Sequence, residues 1–343
     1  GLVIDLRSNS GGLLSNTISM LDKIIDRGEV LLKTKGRLKR SNKTFSARAN
    51  PIIESTIPIA VLINKSSASA SEIFAGVLQD YDRAVIIGQR SFGKGLVQSM
   101  FNLNDTTTLK ITTAKYYTPS GRLIQKQDYM KDGFFTDGLD KKDSTFITLK
   151  NKRSVYGGGG ITPDIVTDIS SKTNYIKALW RKKIFLKFAS IYVPENSITI
   201  PIAINKKVLN DFEIFIKDYE LAYYLPGEIE LNKLGNKLVA YSKGSNSKNL
   251  FDKILFWRKT EEERLLKRLN KYYKKEKENQ FYNPLNYNWI INGLEREMSM
   301  VVGGKKEQIR VSLHEDVDYL KAVDILKDSN KYYDILSGNS IEE

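Results

Sequence analysis

The sequence predicts an α/β fold, a mixed sheet with crossover helices over roughly the first 170 residues, followed by a mainly helical C-terminal region. Three observations predict it. Short, fully apolar runs alternate with amphipathic stretches as far as Gly88; the apolar period then changes to two between Leu96 and Thr118; and from about Ser171 the pattern turns lysine-rich and helical, with no internal repeat. A hydrophobic content of 41% over 343 residues is ample for a core and allows one large domain or two ordinary ones.

In chain order, GLVIDLR reads as a buried strand, and SNSGG (Ser8 to Gly12) as a turn into a helix carrying Leu14, Ile18, Leu21, Ile24 and Ile25 on one face. IPIAVLIN is a second strand. ASEIFAGVLQDY follows with Ile73, Phe74, Val77 and Leu78 as a helix face, and AVIIG (Ala84 to Gly88) is a buried strand reached by a helical crossover. LVQSMFNL and TTLKITTAKYYT alternate and are rich in threonine and tyrosine, as in a mixed or antiparallel sheet. TPSGR (Thr118 to Arg122) is a turn, Gln125 to Gly160 includes a long loop, and ITPDIV (Ile161 to Val166) adds a strand. A domain boundary is expected near 170.

Composition excludes several chemistries. With no cysteine there is no disulfide, thiolate site or cysteine nucleophile, and a single histidine, His314, makes a zinc site improbable; no metal or other cofactor is expected. The net charge of +14 is spread over the chain, with 24 basic against 16 acidic side chains in residues 1–170 and 30 against 24 in the rest. Runs such as KTKGRLKR (Lys33 to Arg40) and KYYKKEK (Lys271 to Lys277) therefore read as solvated surface, and no specific nucleic acid is expected as a partner. No stretch of about 18 apolar residues appears. Gly1 opens inside an apolar run, so the chain is expected to lack its natural beginning.

NKSSASASEI (Asn64 to Ile73) packs four serines between a strand and a helix, where the backbone can approach a substrate closely. A serine nucleophile here has no nearby histidine. GQRSFGKG (Gly88 to Gly95) resembles a phosphate-binding loop, but Gly95 stands where Ser or Thr should hold magnesium, and a strand-like run follows in place of a helix. Lys94 offers another use, as a neutral general base toward serine. An ordinary lysine near 10.4 holds almost no neutral amine at pH 7, so this role needs about 4 kcal/mol of desolvation or neighbouring positive charge. Gly93 and Gly95 are expected to let the backbone bury the amine, with Phe92 as an apolar wall. Local pattern alone does not choose between Ser69 and Ser71.

The series VIDLRSNSGGLL, VLINKSSASASEIFAGVLQDYDRAVIIGQRSFGKGLVQ, LKITTAKYYTPSGRLIQ and GGGGITPDIV resembles the core of the C-terminal processing peptidases, or tail-specific proteases, from residue 1 to about 168. The resemblance implies a serine endopeptidase with a Ser-Lys dyad: Ser69 as nucleophile, Lys94 as base, Gln98 positioning the lysine, and Glu72 in support. It divides the chain into a protease core, 1–170, truncated at its N-terminus, and a mainly helical extension, 171–343. Ser69 would then open the helix from Ala70, whose N–H is a natural oxyanion donor; a second donor is expected from Gly11 or Gly12. Implied partners are protein substrates with unstructured or apolar C-terminal tails and a PDZ domain upstream, and the implied compartment is the bacterial periplasm or cell envelope.

LHEDVDYLKAVDILKD (Leu313 to Asp328) places Leu313, Val317, Leu320, Val323 and Leu326 on one face, read as a helix docked on its own domain; the alternative is a dimer contact, and hence a homo-oligomer through the C-terminal region. His314 is expected near its start, outside the chemistry. The rival from another class is an inactive scaffold binding peptides or nucleic acid through its basic surface.

Overall fold

Every side chain of Ile59–Ile63 and Val85–Gly88 is buried, which requires cover on both faces of the sheet they form. The computed structural model describes residues 1–126, 144–167, 172–244 and 261–339. They divide into two units, Gly1–Ile169 with Asp316–Glu343, and Ser170–Glu315.

In the first unit, strands β1 (Leu2–Asp5), β4 (Ile59–Ile63), β5 (Val85–Gly88) and β10 (Ile165–Val166) form a parallel sheet in the order β1-β4-β5-β10. Helices α1 (Leu14–Leu21) and α2 (Ala70–Asp80) supply one cover, packing Leu21, Ile73, Phe74, Val77 and Leu78 against Ile59, Val61, Ile63 and Ile86. The second sheet is antiparallel, ordered β3-β2-β7-β6 from β2 (Val30–Lys35), β3 (Lys43–Ser46), β6 (Leu96–Asn102) and β7 (Thr108–Tyr117). The expected long loop contains a hairpin, β8 (Ser144–Ile147) with β9 (Ser154–Gly157); its stretch 127–143 lies outside the described residues.

The last described residues are helical, as expected, but they do not group with the rest of the C-terminal region. They return to the first unit and cover the opposite face of the parallel sheet, where Ala322, Ile325, Tyr332, Ile335 and Leu336 pack on Ala60, Leu62, Val85 and Ile87. The face predicted for this segment is also corrected. Val317 and Leu320 are 51% and 47% exposed, while Asp318, Ala322 and Ile325 are buried. Leu313 ends the preceding helix, and a new one begins at Val317 with the Asp316 side chain accepting from Tyr319 N–H, so the apolar spacing read from sequence runs across a break.

The second unit holds six of the described helices, α3 (Asn174–Arg181), α4 (Ile184–Glu195), α5 (Lys206–Lys217), α6 (Glu228–Gly244), α7 (Glu261–Glu278) and α8 (Pro284–Ser312). Its core is aromatic, with Phe185 and Phe212 stacked at 5.2 Å between ring centroids beside Ile290, Leu294 and Met298. The exposed His314 lies in the turn after α8. The chain closes with α9 (Val317–Lys327) and α10 (Ser329–Ser337) in the first unit.

Candidate active site

The parallel sheet ends, at its carboxyl edge, in three connections that come together: the loop after β1, the serine turn after β4, and the glycine-rich loop after β5. Such an edge is where α/β sheets place their ligands. Hydrogen bonds sort the serines of the turn. Ser67 Oγ donates to Leu6 carbonyl at 2.8 Å and accepts from Asn64 N–H, and Ser71 Oγ donates to Asn9 carbonyl at 3.0 Å. Ser66 is exposed, its N–H on Asn64 Oδ1. Ser67 and Ser71 thus sew the turn to the loop after β1, leaving Ser69 as the half-buried serine at the start of α2.

Ser69 has φ 56° and ψ −114°, a conformation unfavourable for any residue with a side chain. It is held from both sides. Its carbonyl accepts from Glu72 and Ile73 N–H, and its N–H donates to Glu72 Oε2 at 2.8 Å. The same Oε2 accepts Lys94 N–H at 2.8 Å, so the two main-chain nitrogens lie no further apart than twice that distance. Glu72 Oε1 takes Gly93 N–H at 2.7 Å and Ser91 Oγ at 2.5 Å. One fully buried carboxylate therefore joins the serine turn to the lysine loop through four donors. Burial pushes the Glu72 carboxyl above its ordinary range, against the pull of those donors.

Replacing Glu72 by Gln keeps the shape but turns an acceptor oxygen into an NH2 group facing two donors. We expect a loss of about 2–4 kcal/mol in urea unfolding.

The two glycines expected to offer an oxyanion N–H behave differently. Gly11, at φ 99°, packs so closely that an added Cβ would stand 2.7 Å from Ala68 carbonyl and 2.9 Å from Ala70 N. Its own N–H is spent on Asn9 Oδ1 at 2.9 Å. Among the described residues neither Gly12 N–H nor Ala70 N–H has a hydrogen-bond partner. Gly12 is exposed, with open space where a side chain would be. Gly11 supplies the close approach and Gly12 the unspent donor.

Lys94 itself is exposed, and among the described residues its ammonium has no hydrogen-bond or ion-pair partner. The expected burial is not present, and Phe92 is 58% exposed. The flanking glycines answer to a different demand: a Cβ on Gly95 would meet Gln125 N at 2.5 Å, and Gly93, at φ 90°, accepts Lys126 N–H through its carbonyl. Gln98 sits exposed on β6, at the register shift opposite Thr112, and does not engage Lys94. Sequence reasoning missed the parts that brace the site, Asn9, Asn64 and Ser91. Asn64, whose Oδ1 accepts the N–H of Ser8 and Ser66, follows an Asx-turn pattern that the segment NKS could have signalled.

Residues 1–133 match peptidase family S41. Over 125 residues the chain is 50% identical to a carboxy-terminal-processing protease of Bartonella bacilliformis, which is 36% of this chain and 28% of that protein. It is 41% identical over 126 residues to a chloroplastic C-terminal processing peptidase of Tetradesmus obliquus, covering 37% of this chain and 26% of the relative. Among solved structures, the photosystem II D1 C-terminal processing protease aligns over 49% of this chain and 34% of its own with 31% identity and a TM-score of 0.36. The chain spans little more than a quarter of the length of these curated relatives.

Proposed function

We propose that this chain carries the catalytic part of a serine endopeptidase in which Ser69 is the nucleophile and Lys94 the general base. The observation that carries the reading is the shared Glu72 oxygen, which accepts the main-chain N–H of both residues at 2.8 Å. Neutral Lys94 takes the hydroxyl proton of Ser69 as its oxygen attacks a peptide carbonyl, and Ala70 and Gly12 N–H receive the oxyanion. Lys94 then protonates the leaving amine, and the acyl-enzyme is hydrolysed by water activated by the same amine. Gln98 lines up that amine once substrate is bound. Because Lys94 is exposed, its desolvation comes from the bound polypeptide and from the upstream PDZ domain that the family resemblance implies.

Leu13 and Phe92, 69% and 58% exposed beside Gly12 and Lys94, supply apolar surface suited to protein substrates with unstructured, apolar C-terminal tails. A bacterial periplasmic or envelope location belongs to the same proposal and rests on the resemblance alone.

A fluorophosphonate reacts with a serine only where its hydroxyl is activated. Full-length protein treated with it should gain one adduct, located to Ser69 by peptide mass spectrometry, and should cleave an unstructured protein with an apolar tail. An adduct on another serine, or cleavage that survives complete labelling, would refute the assignment.

A further inference from the structure

We propose that the start of α9 is a positioning element for the candidate active site: Asp316 and Asp318 hold Arg7 and through it fix the loop that presents the Gly12 N–H. The inference rests on the protease reading above and adds to it a positioning element outside the matched family segment, which ends at residue 133.

Arg7 lies two residues past the end of β1 and uses all five of its side-chain N–H donors on carboxylates. Nη1 and Nη2 meet Asp316 Oδ1 and Oδ2 at 2.7 and 2.6 Å, a bidentate pair, and Nη1 also reaches Asp318 Oδ2 at 3.0 Å. Nε and Nη2 take the two oxygens of Asp5 at 3.0 and 2.7 Å. Asp318 is fully buried, and its other oxygen accepts Thr167 Oγ1, so one side chain of α9 ties together the ends of β1 and β10. Asp316 caps α9, and Asp318 lies in its first turn, where the helix dipole favours negative charge. The surrounding acids hold Arg7 firmly protonated.

The loop needs such an anchor. Ser8 has φ 59°, a conformation that a residue with a side chain keeps only where the surroundings over-determine it. On the serine side the loop is pinned by Asn64, Ser67 and Ser71, with Ala68 N–H on Asn9 carbonyl. On the other side the pin is Arg7. Capping and the dipole account for acids at the start of α9; they do not require that both acids also meet Arg7, at the start of the loop.

The test compares full-length wild type, the double variant Asp316→Asn/Asp318→Asn, and Ile325→Ala, which removes buried apolar volume from α9 without touching Arg7. In the double variant kcat for tail cleavage should fall roughly 10- to 100-fold with KM within about twofold, since a misplaced donor costs turnover before binding. Ile325→Ala should lower the melting temperature at least as far and keep wild-type kcat. Amide hydrogen exchange over residues 8–12 should quicken in the double variant alone. Unchanged exchange there overturns the clamp whether or not the protein is a protease. Equal loss of kcat in Ile325→Ala at matched melting overturns it too. Wild type that neither cleaves nor labels at Ser69, with exchange responding as expected, refutes the protease reading and confines the clamp to holding the loop.

Discussion

Lys94→Arg is expected to lower kcat by about 1,000-fold or more while leaving the fold intact. Arginine keeps the charge and nearly the reach of lysine, but guanidinium does not deprotonate in proteins and so offers no base. A positioned general base is worth roughly 100- to 10,000-fold, and in the proposed mechanism the same group serves both attack and departure. The fold should survive because Glu72 binds the main-chain N–H of residue 94, and among the described residues the exposed side chain makes no bond that the variant would lose. Steady-state cleavage together with a thermal melt separates the two effects. Wild-type turnover by Lys94→Arg would leave the dyad without its base and would return the chemistry of this site to an open question.

The legibility of this chain follows from how local each feature is. The crossover β4–α2–β5 was readable because fully apolar runs flank a helical period, and the β6–β7 pair because its alternation and threonine content belong to a half-exposed sheet. The return of the last 28 residues to the first unit was not readable. It depends on a sheet face opened by strands more than two hundred positions earlier, and on Asp318, a charge that any helical pattern assigns to the solvent side. Within the site, local pattern left Ser69 and Ser71 level, and the resemblance to a known family made the choice. What separates them physically is the bond from Ser71 to Asn9 carbonyl, a contact across sixty-two residues. The same holds for the glycines: Gly11 and Gly12 look equivalent in SNSGG until Asn9 is seen to occupy the N–H of the first. Lys94 shows the opposite limit. Glycines read as room for burying an amine are explained by the close passage of Gln125 and Lys126.

The strain at Ser69 makes a second prediction. Ser69→Gly and Ser69→Ala both remove the hydroxyl, and each should abolish cleavage beyond a residue of about one part in a million. They should differ in stability. A side chain at φ 56° and ψ −114° costs about 1–3 kcal/mol in the folded state, a cost that alanine retains and glycine sheds. Glycine gives back about 0.5–1 kcal/mol through the greater freedom of its unfolded chain. Ser69→Gly should therefore be more stable than Ser69→Ala by about 1 kcal/mol, read as a shift of the urea midpoint at unchanged slope. Equal midpoints would mean that the turn relaxes around alanine and that no strain is stored at Ser69. The expected difference would show that the bonds from Glu72 to the N–H of Ser69 and from the Ser69 carbonyl to the first turn of α2 hold a conformation the serine would not adopt alone. That conformation sets Ser69 at the head of α2, directly before the Ala70 N–H, which has no hydrogen-bond partner among the described residues.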